Sequence, residues 1–331
     1  MNNSTAQEIL EKIRSSKNIL INMDTRTDFD ALASSVVLNT FIRSLGGINT
    51  TIIHSRKLRK TFQGYFPYDE VQEETDVSDI DLSEFDLAIF LDSGLEEHIS
   101  INKDFNLPEG LTTINIDHHT TNDMFGDLNY VYHLGSCCSV LYKFFGELEV
   151  KLSVEQLETL AVGLLTDTGF LRYNSTTPED FRIVAEFVER GVKLWEIISK
   201  LTDYEHIDQL KYREIVLKNL VVDFEKKFAY STVSLAELKE RKINLSNVFI
   251  NSSDLIKYII GVDFAFVISE LGEEPKQFKL SFRSKDPEID VSKMVGKFGG
   301  GGHKSAAGAV IEGPQTLDEA VNTVLTTLAL N

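Results

Sequence analysis

An aspartate followed by two adjacent histidines, Asp117, His118 and His119, is the strongest chemical signal in the sequence. Residues 112–116 carry β-branched side chains on both faces of an expected strand, which is typical of a buried strand in a parallel sheet. Such sheets bind their ligands at the carboxyl ends of the strands, where these three side chains would lie. Taken alone, the tripeptide is equally compatible with a helix-capping aspartate followed by two ordinary polar residues.

Acidic residues also follow other hydrophobic segments of the chain. A first strand around residues 19–21 runs into the acidic segment 24–30, a third strand ends at Asp92, and a helix that begins after Ser153 ends near Asp167. Each acid by itself is typical of a solvated loop or a helix cap, but their joint placement at the ends of elements favours one shared site. The residues gathered there are Asp24, Asp28, Asp30, Asp92, Asp117, His118, His119 and Asp167.

So many carboxylates in one place would raise one another's pKa unless cations neutralised them, and a metal cluster is the economical explanation. Carboxylate oxygens mixed with imidazole suit Mn²⁺, with Mg²⁺, Co²⁺ and Zn²⁺ as competitors. Two ions about 3.5–4 Å apart are the usual arrangement for phosphate ester chemistry, in which they activate water and hold the phosphate. The sequence therefore predicts two divalent metal ions, with Mn²⁺ as the favoured choice.

We expect three further histidines to have no acidic strand end beside them: His54, His98 and His133. We expect them to be ordinary histidines outside the site. Asp123 and Asp127 follow the histidine pair in a glycine-containing stretch, and we expect them to be loop residues.

A second kind of candidate lies late in the chain, where the glycine run 299–302 precedes His303 and Lys304. Glycines let a backbone approach a ligand closely, and an imidazole can donate to a phosphate. A glycine run alone is compatible with a flexible loop, but Arg283 on the strand before it favours an anion pocket. Arg172 is a further candidate, for which an exposed surface position is nearly as good an interpretation. The candidate substrate contacts of this kind are Arg172, Arg283, Gly300, Gly301, Gly302 and His303.

Strands and helices alternate in the first half of the chain, which predicts a parallel sheet with flanking helices and right-handed crossovers. Residues 192–220 have a helical period, and alternating strands follow after residue 223. We predict an α/β fold of two parts with a cleft between them. The expected parts are a metal-binding catalytic domain at 1–191, a helical connector at 192–223, and a smaller α/β substrate-binding domain at 224–331.

Composition restricts the partners. The sequence has 33 Lys and Arg against 51 Asp and Glu, a net charge of −18, which repels phosphate backbones and argues against tight binding of long nucleic acid.

No apolar run approaches the ~20 residues that span a bilayer, and the start lacks the pattern of a signal peptide. The only cysteines, Cys137 and Cys138, are adjacent and form a poor disulfide, so we expect small buried side chains and a cytoplasmic protein. A homodimer is compatible with the sequence, which leaves the oligomeric state open.

Several motifs in this order resemble the DHH phosphoesterase superfamily, specifically the stand-alone bacterial enzymes with a DHH domain followed by a DHH-associated domain. The relatives that the chain resembles are nanoRNases, phosphatases of 3'-phosphoadenosine 5'-phosphate, and phosphodiesterases of cyclic di-AMP or linear pApA. The resemblance covers nearly the whole chain. Its motifs are Asp28-Phe29-Asp30-Ala31, Leu91-Asp92-Ser93, Asp117-His118-His119, Thr166-Asp167-Thr168-Gly169 and the segment 300–308.

The resemblance implies a role for each candidate. One metal ion would be held by Asp28, Asp92 and the residue at position 24, and the other by Asp30, Asp92, His118 and Asp167. His119 would assist at the phosphate or the metal, Asp117 would orient the histidines, and Arg283 with the glycine loop and His303 would bind a phosphate or nucleotide. The sequence departs from the family in one place, because Asp24 stands where the first motif usually has histidine.

The resemblance and the residues together predict a two-metal phosphohydrolase. Its expected substrates are short phosphorylated nucleotides such as pApA, nanoRNA, 3'-phosphoadenosine 5'-phosphate or cyclic di-AMP, and its products are 5'-mononucleotides. An inorganic polyphosphatase or pyrophosphatase is the alternative of the same class, since relatives share the acid set. A nucleotide-binding sensor that lost catalysis through Asp24 is the alternative of a different class.

Overall fold

The computed structural model describes residues 3–58, 62, 64–65, 69–202, 206–248, 252–273, 276–286 and 288–330. The chain divides into two compact units, Met1–Asp203 and Tyr204–Asn331. The division falls inside the segment 192–223 that the sequence predicts to be a helical connector.

A six-stranded sheet, parallel throughout, forms the centre of the first unit. The strand order is β3-β2-β1-β4-β5-β6, so the direction of winding reverses between β1 and β4. Ligands of open α/β sheets bind outside the carboxyl ends of the strands at such a reversal. The strands are β1 Asn18–Met23, β2 Asn49–Ile53, β3 Val71–Gln72, β4 Leu87–Leu91, β5 Thr112–Asp117 and β6 Leu128–Val131.

Helices cover this sheet and complete the predicted α/β architecture. α2 has buried side chains on nearly all sides and packs on α3 and α4. The helix predicted to begin after Ser153 is confirmed, because Ser153 caps α4 with Gln156. Thr177 caps α5 with Asp180 in the same way. The helices are α1 Ala6–Ser15, α2 Phe29–Ser44, α3 Cys137–Glu147, α4 Val154–Asp167, α5 Pro178–Glu189 and α6 Leu194–Thr202.

The second unit is also α/β, with a mixed sheet of order β11-β12-β10-β9-β8-β7. Only β8 and β9 run parallel among its paired strands in the described residues. The strands are β7 Val221–Asp223, β8 Phe228–Val233, β9 Phe264–Glu273, β10 Lys276–Ser284, β11 Gly301–His303 and β12 Ala306–Glu312. The helices are α7 Ile207–Lys218, α8 Leu235–Glu240, α9 Ser252–Ile256, α10 Val291–Gly296 and α11 Leu317–Thr327.

The glycine run is not simply a loop, because β11 begins at Gly301 and pairs with β12. A Cβ on Gly300 would lie 2.3 Å from the carbonyl oxygen of Gly308, and one on Gly302 would lie 2.5 Å from that of Ala306. Gly302 also has a φ of +143°, which L side chains rarely adopt. Close packing of β11 on β12 therefore requires at least these two glycines.

Within the described part of the chain, no helix combines the length and the apolar character needed to cross a membrane.

Candidate metal centre at the carboxyl ends of the parallel strands

Two overlapping groups of side chains in the first unit have the spacing of metal ligands. In each group one ligand atom per residue lies within 4.8 Å of the others, and His118 belongs to both. They form at the carboxyl ends of β4 and β5 together with the start of α2 and the end of α4. The structure thus assembles residues that are up to 137 positions apart in sequence. The groups are Asp92, Asp117, His118 and His119, and Asp30, His118 and Asp167.

His118 presents one ring nitrogen to the acids. Its Nδ1 lies 3.2 Å from the carbonyl oxygen of Leu134 and donates to it, which leaves Nε2 as the ring nitrogen that could bind a metal ion. That Nε2 lies 3.3 Å from Asp92 Oδ1 and 3.5 Å from Asp167 Oδ2. Burial alone would lower the pKa of His118, but Asp92 with the other nearby carboxylates raises it well above its ordinary value. The position of Nε2 therefore favours a positive charge, supplied either by a proton or by a metal ion.

Asp92 is strained and incompletely satisfied. Its φ of 54° lies in the left-handed region, which is costly for a residue with a side chain. Its Oδ1 is buried and has no hydrogen-bond partner among the described residues. Burial and the charge of Asp30 raise the pKa of Asp92 well above its ordinary value. A buried carboxylate oxygen without a donor fits a cation as its partner, so the residues present suit a divalent metal ion.

The amino end of α3 holds Asp30 in place. Asp30 is fully buried, and its two oxygens accept hydrogen bonds from the backbone amides of Cys137 at 2.6 Å and Cys138 at 2.9 Å. The positive end of the helix dipole stabilises the carboxylate there. Both cysteines are buried and free, as expected from the sequence. Gly163 on α4 lets this arrangement form, because a Cβ on it would lie 2.8 Å from Asp30 Oδ1.

Asp167 and Asp28 lie around this buried carboxylate. Burial, followed by repulsion from Asp30, raises the pKa of Asp167 to about 7. Asp28 is the N-cap of α2, and its Oδ1 accepts from the amides of Asp30 at 2.8 Å and Ala31 at 3.1 Å. Burial and the charge of Asp30 also raise the pKa of Asp28. Asp28 lies outside both ligand groups, although the same charges act on it.

Asp117 is engaged with His119 rather than with both histidines. Its Oδ1 lies 2.7 Å from His119 Nδ1, and its Oδ2 accepts from the backbone amide of His119 and, at 2.6 Å, from Asn122 Nδ2. Burial would raise the pKa of Asp117, but the hydrogen bond to His119 and the other donors keep it below its ordinary value. The sequence did not single out Asn122, or Asn115, which accepts from it. An amide side chain between the two buried isoleucines of β5, Ile114 and Ile116, is the signal that could have found Asn115.

Asp24 does not join either ligand group. Its Oδ1 accepts from the backbone amide and Nε of Arg26 at 2.8 and 3.2 Å, and its Oδ2 accepts from Arg26 Nη2 at 3.0 Å. His98 Nδ1 lies 3.4 Å from the same Oδ2. The expectation that His98 has no acidic strand end beside it is therefore wrong. The sheet order explains the error, because β4 lies next to β1 and the turn after β4 meets the turn after β1.

Comparison with known proteins agrees with this architecture. The model of the DHH family, N-terminal domain, matches residues 18–164, and that of the DHHA1 domain matches residues 225–329. The chain contains a DHH domain followed by a DHHA1 domain.

Two relatives and one solved structure are similar to most of this chain. The bifunctional oligoribonuclease and PAP phosphatase NrnA of Thermus thermophilus is 32% identical over 213 residues, which are 64% of this chain and 62% of that protein. The probable bifunctional oligoribonuclease and PAP phosphatase NrnA of Streptococcus mutans is 27% identical over 303 residues, with 91% and 92% covered. The crystal structure of an exopolyphosphatase-related protein from Bacteroides fragilis has a TM-score of 0.83 at 21% identity and covers 98% of this chain and 95% of that chain, which shows the shared fold.

The remaining candidates lie in two places of the DHH protein. Arg172 is exposed in the segment after α4, where its Nε donates to the carbonyl oxygen of Gly169 at 2.8 Å. In the DHHA1 domain, Arg283 lies on β10 with its Nε 3.3 Å from Asp254 Oδ2, while Lys257 Nζ lies 2.8 Å from Oδ1 of the same carboxylate. Two cations thus share one carboxylate, which leaves a local excess of positive charge. The backbones of Gly301, Gly302 and His303 lie on β11.

Proposed function

We propose that the protein is a metal-dependent phosphohydrolase that cleaves short phosphorylated nucleotides and releases 5'-mononucleotides. The observation that carries the proposal is the buried Asp92 Oδ1, which has no hydrogen-bond donor among the described residues and lies 3.3 Å from His118 Nε2. The names of the relatives from Thermus thermophilus and Streptococcus mutans support a nucleotide substrate.

In this proposal Asp30, Asp92, His118 and Asp167 hold one divalent ion, and Asp92 with Asp28 holds a second. Mn²⁺ is the favoured ion, because the donors are carboxylate oxygens and one imidazole. A divalent ion in such a site lowers the pKa of bound water and neutralises charge on a phosphate. The raised pKa values of Asp28, Asp92 and Asp167 support the need for added positive charge.

His119 is the proposed phosphate contact of the DHH domain. Its side chain is 41% exposed, and its Nδ1 donates a hydrogen bond to Asp117 Oδ1. The other ring nitrogen, Nε2, is thereby left to accept or give a proton at the substrate. Asp117 keeps the ring in this tautomer, and Asn122 fixes Asp117.

The DHHA1 domain is proposed to bind the rest of the nucleotide. Arg283 retains donors beyond its contacts with Asp254 and with the carbonyl oxygen of Phe282. Its guanidinium and the nearby Lys257 are suited to a phosphate, and His303 with Gly300–Gly302 is proposed to complete this contact. The net charge of −18 supports short substrates over long nucleic acid.

Product release tests the proposal. The protein is incubated with pApA, a phosphorylated trinucleotide, 3'-phosphoadenosine 5'-phosphate and cyclic di-AMP, each with Mn²⁺ and with chelator. We expect release of AMP with Mn²⁺ only, loss of turnover in Asp92→Ala, and full turnover in the matched control Asp104→Ala, whose side chain is exposed on a loop. Turnover in Asp92→Ala would refute the metal assignment, and nucleotide binding without turnover of any substrate would favour a sensor.

A further inference from the structure

The carboxylate of Asp24 is already occupied by a cation of the same turn. Arg26 donates to it through its backbone amide, its Nε and its Nη2, so both oxygens accept hydrogen bonds from one residue. Thr27 closes the turn by donating through its amide and its hydroxyl to the carbonyl oxygen of Asp24. A metal ion at Asp24 would have to displace this pair and would be repelled by the guanidinium beside it.

His98 fixes the other side of Arg26. Its Nδ1 lies 3.1 Å from Arg26 Nη2, and its backbone carbonyl accepts from the amide of Thr25 at 3.0 Å. A guanidinium nitrogen can only donate, so Nδ1 of His98 accepts a hydrogen bond from Arg26 Nη2. The turns after β1 and β4 thus hold Arg26 at the point where the sheet reverses its winding.

One end of the guanidinium remains available. Nη1 of Arg26 has no hydrogen-bond or ion-pair partner among the described residues, and the side chain is 55% exposed. Arg26 lies in the turn between β1 and α2, two residues before Asp28, so its guanidinium belongs to the same turn as one of the proposed metal ligands. A guanidinium fixed on one side and free on the other is a preorganised donor to a phosphate.

We infer that Asp24 is not a metal ligand in this chain but a positioning residue, which together with His98 holds Arg26 as a contact for the substrate's phosphate. The inference rests on the proposed function for the identity of the substrate. The resemblance leads one to expect a histidine that binds a metal ion at position 24. In the inference, Asp24 instead positions Arg26.

Calorimetric titration of the full-length protein separates the two roles. The proteins compared are the wild type, Asp24→Asn and Arg26→Gln. Each is first titrated with Mn²⁺ and then, at saturating Mn²⁺, with AMP, which is the expected product. We expect Asp24→Asn to keep the number of bound ions and to change the Mn²⁺ affinity less than about twofold. Arg26→Gln should weaken AMP binding roughly 10- to 100-fold, because a charge-assisted hydrogen bond is lost. Asp24→Asn should weaken AMP binding by about 2- to 10-fold, because Arg26 must then be ordered on binding.

The double variant distinguishes positioning from a general structural role. If Asp24 acts through Arg26, Asp24→Asn should cost no further AMP affinity in the Arg26→Gln background. Arg26→Lys keeps the positive charge but removes the planar guanidinium, so it should bind AMP with an affinity between those of the wild type and Arg26→Gln. This variant keeps the inference testable if Arg26→Gln folds poorly. Arg43→Gln removes an exposed arginine that pairs with Glu70, and as the matched control it should leave both affinities unchanged.

Three results would overturn the inference: loss of a bound ion in Asp24→Asn, a drop of more than about tenfold in its Mn²⁺ affinity, or wild-type AMP affinity in Arg26→Gln. Absence of AMP binding by the wild type would overturn it as well. The expected pattern of affinities without product release from any substrate would refute the proposed function alone.

Discussion

Replacing Gly163 by alanine tests how closely α4 must approach the buried carboxylate of Asp30. A Cβ at this position would lie 2.4 Å from Cys138 Sγ, 2.8 Å from Asp30 Oδ1 and 3.1 Å from Asp30 Cα. The first two distances are shorter than real Cβ contacts, and one of the neighbours is backbone. Either α4 moves away from α2 and α3, or Asp30 leaves the amides of Cys137 and Cys138.

The magnitude follows from two opposing effects. Alanine is favoured over glycine inside a helix by up to about 1 kcal/mol, whereas overpacking in a core costs about 1–3 kcal/mol. Gly146 on α3 is the matched control, because nothing lies within 4 Å of its Cβ position and it is exposed. The preference for alanine is common to both helices, so the difference in unfolding free energy between Gly146→Ala and Gly163→Ala should be about 1–3 kcal/mol.

Urea denaturation followed by circular dichroism measures this difference, and calorimetry measures Mn²⁺ affinity. We expect Gly163→Ala to weaken Mn²⁺ binding by about 10- to 100-fold, as displaced partners of metal ligands do, and Gly146→Ala to leave it unchanged. A Gly163→Ala variant as stable as Gly146→Ala, with wild-type Mn²⁺ affinity, would refute the reasoning.

Further predictions concern the supports of the site and the rest of the first unit. Asp180→Ala should lower the unfolding free energy by about 3 kcal/mol or more in urea denaturation, because it leaves the donors of Gly135, Ser139 and Thr177 unpaired in the interior. Asp117→Asn should lower kcat about 10- to 100-fold with little change in stability, because His119 loses the acceptor that fixes its tautomer. Mn²⁺ at 100 times its Kd should raise the unfolding free energy by about 2.7 kcal/mol, and an unchanged melting temperature would contradict specific binding. Burial by itself would raise the pKa of Asp76, but the hydrogen bonds from the Ser100 hydroxyl and from nearby backbone amides together have a larger effect in the opposite direction. The folded-state pKa of Asp76 therefore lies below its ordinary value. The stability that Asp76 adds over Asp76→Asn should therefore be full above about pH 4 and disappear as the pH falls through that lower pKa.

The acidic strand ends could be found from the sequence because the information is local. Apolar segments predict strands, and Asp92 and Asp117 come directly at the end of such segments. Parallel strands bring their carboxyl ends to one edge, so the convergence of Asp30, Asp92 and His118 follows once a parallel sheet is predicted. Asp167 ends the helix α4, and its place beside them depends on how that helix packs. The helix caps at Ser153 and Thr177 are local in the same sense.

The sequence could not show which carboxylate oxygens are free. Asp30 accepts hydrogen bonds from two backbone amides that are 107 and 108 positions away, and only the packing of α3 on α2 brings these amides to it. The glycine run was compatible with a loop or an anion pocket, whereas the structure shows that a Cβ on Gly300 or Gly302 would clash with the backbone of β12.

Asp24 and His98 are the clearest case of what tertiary structure decided. The sequence shows that an acid follows the first predicted strand and that a histidine follows the third, but it does not show that these two strands are neighbours in the sheet. The strand order places them side by side, which brings His98 to within 3.4 Å of Asp24 Oδ2 and 3.1 Å of Arg26 Nη2. A carboxylate binds a metal ion or a guanidinium according to which cation the fold holds within about 3 Å of it, and that distance is a property of the folded chain.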